Sequence, residues 1–276
     1  MEERNMKRLL AASILVAVLA CLTGGPALAE NTLEKVKRTG EMLAGVRADN
    51  PPMGFRDENG NWTGFAVDIA NAIAAKLGVK ATYVATTAQT RTPLLTSGRI
   101  DAEFGSTTPT KQREEVVDFT IIYNWDTVVP LIRKGESKDP HDYKPPKKVS
   151  SSQGNYAIPL FQKLVPNAEV VWFPEFPEAV VALLQKKVDA VMMNKFAATQ
   201  WSKKYAGQLD IGEPFFQDPQ AIMVREDDSK WRKTLNWTLQ ELWAEGKFAE
   251  IYKKWFGYPP DYPLWSYKGL QPGIEK

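Results

Sequence analysis

From Leu43 onward, short runs of apolar and β-branched residues alternate with longer runs whose apolar positions recur every three or four residues. The short runs predict strands and the longer ones amphipathic helices, and their alternation predicts an α/β fold. Residues 43–46 read as a strand. Phe65, Ile69, Ile73 and Leu77 then fall on one face of a helix that Gly78 stops. Between them, residues 57–61 (Asp-Glu-Asn-Gly-Asn) read as a turn, because their glycine comes too early for a calcium loop. A strand over 81–84, a short helix over 92–97, a strand over 100–104 and a helical turn over 112–116 complete the first block.

The pattern then repeats. Strands are predicted over 147–150, 169–173 and 188–193, and helices over 156–164, 177–187 and 196–205. Residues 134–146, charged and proline-rich, read as a surface connection. A last strand over 221–224 precedes a helix carrying Trp231, Leu235, Leu239 and Leu242 on one face, and a further helix covers 249–256. The tail from Gly257 carries Pro259, Pro260, Pro263 and Pro272 and reads as extended surface chain. Two similar blocks with a C-terminal strand and helices left over predict two lobes. Periodicity by itself does not place a cleft between them.

The first 29 residues break the pattern. Arg4, Lys7 and Arg8 make a basic start, residues 9–22 an apolar run, and Ala27-Leu28-Ala29 a small-residue cleavage site, the layout of a secretory signal peptide. The run is shorter than the ~20 residues a bilayer-spanning helix needs. The expectation is export to the periplasm after cleavage at Ala29. Lipid anchoring at Cys21 is the lesser alternative, since Val18-Leu19-Ala20-Cys21 only loosely resembles a lipoprotein box. Cys21 is the single cysteine, so the cleaved chain has no disulfide, thiolate metal site or cysteine nucleophile.

A formal net charge of +2 gives no reason to expect nucleic acid as a partner. The single histidine, His141, sits in the charged connection and reads as a solvated loop residue. No serine nucleophile motif, phosphate loop or paired metal-ligand spacing occurs, so neither cofactor nor metal is expected and the chain reads as a binder, not an enzyme.

Several segments resemble a known family. Leu33-Glu34-Lys35-Val36, Gly45-Val46-Arg47, Pro52-Met53-Gly54-Phe55 and Gly64-Phe65-Ala66-Val67-Asp68-Ile69 resemble the opening of the periplasmic amino-acid-binding proteins of ABC importers. Gly105-Ser106-Thr107-Thr108-Pro109-Thr110-Lys111-Gln112-Arg113, ending at Val117-Asp118-Phe119, is similar to that family's most specific stretch. Ile251-Tyr252-Lys253-Lys254-Trp255-Phe256-Gly257 is similar to its C-terminus. The resemblance implies an α/β two-lobe periplasmic-binding-protein clamshell with two hinge crossings, near residues 122–127 and 216–220. Lobe one would be residues 30–123 and 221–276, and lobe two residues 124–220. It further implies a monomer that delivers a small carboxylate-bearing solute to the membrane subunits of an ABC importer.

Residues 87–95 and 104–108, with Arg47, resemble the glutamate/aspartate-binding branch. That resemblance implies that Arg113 grips the ligand α-carboxylate with Thr108 and groups around Ser106, while Arg47 and Arg91 hold a side-chain carboxylate. Arginine suits the task because its planar fork makes two parallel charge-assisted bonds to a carboxylate. Gln153 and Asn155, ahead of the helix near Tyr156, are expected to contact ligand from lobe two, with simple helix capping as the other reading. Asn194 replaces the family's usual aspartate, the partner of the ligand ammonium. An amino-free dicarboxylate or other organic acid is therefore an alternative ligand. A dehydratase-like enzyme on the same fold, with Glu175 or Glu178 moving a proton, is the alternative of another class.

Overall fold

Residues 30–260 and Leu264 are described in the computed structural model of the protein. Residues 1–29, where the signal segment and Cys21 are expected to matter, and most of the proline-rich tail lie outside the described residues. In chain order, α1 (Thr32–Thr39), β1 (Glu41–Arg47), β2 (Asp49–Asn50), β3 (Gly54–Arg56), β4 (Trp62–Thr63) and α2 (Phe65–Leu77) come first. Next are β5 (Lys80–Thr86), α3 (Arg91–Thr96), β6 (Ala102–Thr107) and β7 (Val117–Phe119). β8 (Asn124–Arg133), β9 (Lys148–Ser152), α4 (Ala157–Leu164), β10 (Glu169–Phe173) and α5 (Phe176–Leu184) follow. The rest are β11 (Ala190–Asn194), α6 (Lys195–Lys204), β12 (Leu209–Ile211), β13 (Phe216–Arg225), α7 (Ser229–Ala244) and α8 (Lys247–Phe256).

In the first lobe β1 lies between β5 and β6, parallel to both, and β13 adds antiparallel to β6 and β7. In the second, β9 lies parallel between β10 and β11, and β8 runs antiparallel to β11 and β12. β8 and β13 carry the chain between the two lobes. Their adjoining halves pair with each other, Asn124 opposite Gln220 through Val128 opposite Phe216. Past that ladder β8 enters the second sheet, while Ala221–Val224 returns to the first. The fold is thus a two-lobe α/β clamshell of the periplasmic-binding-protein type with two crossings.

Each half has its own core because both faces of its sheet are covered. Phe65, Ile69 and Ile73 of α2 pack with Trp231, Leu235, Leu239 and Leu242 of α7 and Phe248 and Tyr252 of α8 on one face of the first sheet. Leu95, Ile100 and Phe119 pack on the other face. In the second lobe the period-two side chains of β8 divide between two cores. Val129 and Leu131 meet α5 and α6, and Val128 and Ile132 meet α4.

The structure departs from the pattern in several places, among them α1 and β12, for which the pattern predicts no element. β8 continues to Arg133, although Pro130 interrupts its sequence pattern and cannot donate to a ladder. β2, β3 and β4 form a small antiparallel sheet whose strands are too short to show a period. The 134–146 connection is partly anchored: Tyr143 is fully buried, and its hydroxyl donates to the Ser137 carbonyl.

Candidate functional site

The end of β1, the start of α3, the end of β6 and the segment leading from it to β7 face α4, α5 and the end of β11 across a cavity beside the crossing strands. Its free space, counted together with open solvent at its mouth, is about 440 Å³. Arg47, Arg91, Ser106, Thr108 and Arg113 line it from the first lobe, and Asn155 and Asn194 from the second. Seven of the eight site residues expected from sequence are therefore brought together. Gln153 is the exception. β9 ends at Ser152, and the Gln153 N–H continues the β10 pairing by donating to the Phe173 carbonyl at 2.8 Å. Gly154, at φ +76°, then turns the chain so that Asn155 reaches the cavity.

The lobes touch around this cavity. A Cβ on Gly154 would stand 3.1 Å from the backbone of Ala88 in the facing lobe. Arg113 lies 5.6 Å from the ring centroid of Tyr156, within reach of a cation–π attraction. Arg47 bonds to Glu175 across the gap. The structure is a closed one.

The three arginines have different partners. Arg47 donates through Nε and Nη2 to the two oxygens of Asp49, at 3.0 and 2.8 Å, and through Nη2 to Glu175 at 2.5 Å. Burial opposes its charge, but Asp49 and Glu175 outweigh burial and raise its pKa. Arg91 donates to the Thr107 hydroxyl at 2.7 Å, and Arg113 to the Thr108 carbonyl at 2.6 Å. Neither has a carboxylate within ion-pair distance among the described residues. Burial, then repulsion from Arg113 and Arg47, lowers Arg91 to about 9, and burial also lowers Arg113. Two guanidinium groups on one wall are thus short of the counter-charge that a ligand carboxylate would bring.

Behind them, fully buried Glu103 accepts from the Thr107 hydroxyl at 2.6 Å and from the Gly105 N–H at 2.9 Å, linking Arg91 to a carboxylate through Thr107. A Cβ on Gly105 would fall 2.1 Å from Glu103 Oε1 and 3.2 Å from Arg47 Cγ, so any side chain here would push the end of Glu103 off its bonds. Next to it Ser106 sits at φ +62°, a left-handed conformation uncommon for a side-chain-bearing residue. Its hydroxyl is buried without a partner, as is Oδ1 of Asn50, also on the cavity wall. Buried polar atoms with unmet capacity at a cleft wall are open to a ligand's donors and acceptors.

Among the charged residues lining the cavity, Asp218 is the one that sequence reasoning missed. It lies on β13 at the crossing, 3% exposed, and lines the cavity. Its carboxylate accepts from Thr108 Oγ1 and Asn194 Nδ2, each at 2.5 Å, and from Gln220 Nε2 at 3.0 Å. A carboxylate has about four acceptor positions, so one remains. Two expectations change in consequence. The Thr108 hydroxyl proton goes to Asp218, leaving none for a ligand carboxylate. Asn194 occupies the N-cap of α6 without capping it, and spends its amide on Asp218 instead. No motif flags Asp218; the available signal was an acid inside a predicted hinge crossing. Asn155 lines the cavity while its Oδ1 accepts the Ala157 N–H at 2.7 Å.

Comparison with known proteins gives concordant matches. The family described as bacterial extracellular solute-binding proteins, family 3, matches residues 42–258. The glutamine-binding protein of an ABC transporter from Bacillus subtilis (strain 168) is 30% identical over 239 residues, covering 84% of this chain and 86% of that protein. The L-glutamate/L-aspartate-binding protein of Pseudomonas aeruginosa is 28% identical over 264 residues, covering 88% and 86%. Among solved structures, an ancestral arginine-binding protein bound to glutamine has a TM-score of 0.75 at 34% identity, covering 79% of this chain and 98% of that one. Relatives named for neutral, acidic and cationic amino acids match to similar degrees, so similarity leaves the ligand to the site's own chemistry.

Proposed function

Because the chain belongs to family 3 of the bacterial extracellular solute-binding proteins, we propose that it closes around an α-amino acid and presents it to the membrane subunits of an ABC importer. One juxtaposition carries this reading: Arg91 and Arg113, without carboxylate partners, line the same cavity as the Asp218 carboxylate. A zwitterion answers both, with its carboxylate on the guanidinium forks and its ammonium on the remaining acceptor position of Asp218. Ser106 Oγ adds a neutral partner. The acid absent at Asn194 is replaced by the acid that Asn194 itself supports, which favours an amino acid over an amino-free organic acid.

The same reading makes residues 1–29 a cleaved signal peptide, 30–123 with 221–276 one lobe and 124–220 the other, acting as a periplasmic monomer. It also favours binding without chemistry. Glu178 is exposed, Glu175 is engaged with Arg47, and neither lines the cavity.

Titration calorimetry with glutamine, glutamate, arginine and the deaminated counterpart of each tests the proposal. At least one amino acid should bind at least tenfold more tightly than its deaminated counterpart. Asp218→Asn should erase most of that difference. Equal affinity for the two forms in the unmodified protein would remove Asp218 as the ammonium partner.

A further inference from the structure

Arg47 reaches the cavity with its charge already answered. Asp49 takes it as a fork at 3.0 and 2.8 Å, and Glu175 from the opposite lobe takes it at 2.5 Å. Its guanidinium, 4% exposed, lies 5.4 Å from the ring centroid of Phe176. Arg91 and Arg113, on the same wall, have only hydroxyl and carbonyl partners.

The difference bears on the ligand's side chain. A carboxylate arriving at Arg47 would find a guanidinium whose charge two carboxyl groups outside the lining already answer, and would give up its hydration for little attraction. A cationic side chain would meet Arg47 itself, because Asp49 and Glu175 stand outside the cavity lining. An uncharged polar side chain incurs neither cost. Three residues beyond Arg47, Asn50 Oδ1 is buried without a partner on the cavity wall, an acceptor awaiting an N–H or O–H donor.

We propose that Asp49 and Glu175 are built-in counter-ions of Arg47 that set specificity, turning an anion receptor into a receptor for uncharged, hydrogen-bond-donating side chains such as a primary amide. The proposal rests on reading the cavity as an amino-acid site. Because Glu175 belongs to the facing lobe, the discrimination is completed only when the lobes close. An acidic side chain, the expectation raised by three arginines in sequence, is disfavoured because one of the three is neutralised internally.

The experiment is a competition titration of glutamine against glutamate. It uses the unmodified protein, Glu175→Gln, Asp49→Asn and the double variant, with folding checked by thermal melts. The unmodified protein should prefer glutamine by tenfold or more. The double variant should shift the ratio towards glutamate by at least tenfold. If the double variant does not fold, Glu175→Gln alone carries the test, with a smaller shift in the same direction, since its side chain is 23% exposed. Preference for glutamate in the unmodified protein, or an unmoved ratio in folded variants, overturns the proposal. A protein that binds neither, nor any other amino acid, refutes the amino-acid reading itself.

Discussion

Arg113 supplies the most direct test at the scale of single residues. Its guanidinium has one carbonyl partner, and burial lowers its pKa, so a ligand carboxylate is its natural complement. Arg113→Ala should weaken amino-acid binding by about 2–5 kcal/mol, the usual cost of removing one member of a buried charge pair. Calorimetry on the folded variant reads it directly, and unchanged affinity would take Arg113 out of the site. Gly105→Ala tests the support beneath, where a Cβ would stand 2.1 Å from Glu103 Oε1. Overpacking of this kind should lower stability by roughly 1–3 kcal/mol in a denaturant titration. The arginines were legible in sequence because they sit inside recognisable motifs. Asp218 was not. Its neighbours Thr108 and Asn194 come from distant segments of the chain, and only β13 returning through the crossing brings the three together. The pairing of Arg47 with Glu175 was hidden for the same reason, being a contact between lobes.

Several elements that carry a period of their own were read closely, although α1, amphipathic over Thr32–Thr39, was not. The strand at 169–173 matches β10, and α2 ends where Gly78 takes φ +70° and donates to Ala74 and Ala75 carbonyls. Nothing lies within 4 Å of a Cβ there, so any cost of substitution is conformational. Gly78→Ala should therefore destabilise the first lobe by about 1 kcal/mol without altering ligand affinity. A thermal melt with a parallel titration separates the two effects. Elements without a period were missed. The strands of the β2–β4 sheet have two or three residues each, and β8 is broken in pattern by Pro130. What holds those strands is pairing with distant chain, which no local window contains.

At the scale of the whole molecule, Glu175 ties lobe closure to pH. In the closed structure it is pushed up to about 7, by burial first and by the negative charge of Asp49, against the opposing pull of Arg47. Arg47 and Asp49 face it from the first lobe, and Glu178 adds a smaller repulsion from its own helix. With the lobes apart, Glu175 would return towards the ordinary carboxylate value. Closure then takes up a proton at any pH between that value and about 7. The sign follows: the contribution is full at low pH, weakens as pH rises towards 7 and levels off above it. Below about pH 7 Asp49 alone carries the counter-charge of Arg47, so the share of the proposed selectivity that Glu175 supplies is expressed only above that pH. With a ligand bridging the two lobes as proposed, closure and affinity move together. Amino-acid affinity should fall roughly three- to tenfold between pH 5 and pH 8, within the limit of one proton per closure. Small-angle scattering of the saturated protein should show no expansion over that range, since excess ligand holds the lobes together. In Glu175→Gln the affinity should be flat across the same window. A rise in affinity with pH in the unmodified protein would mean that the pull of Arg47 wins and that Glu175 closes as a carboxylate.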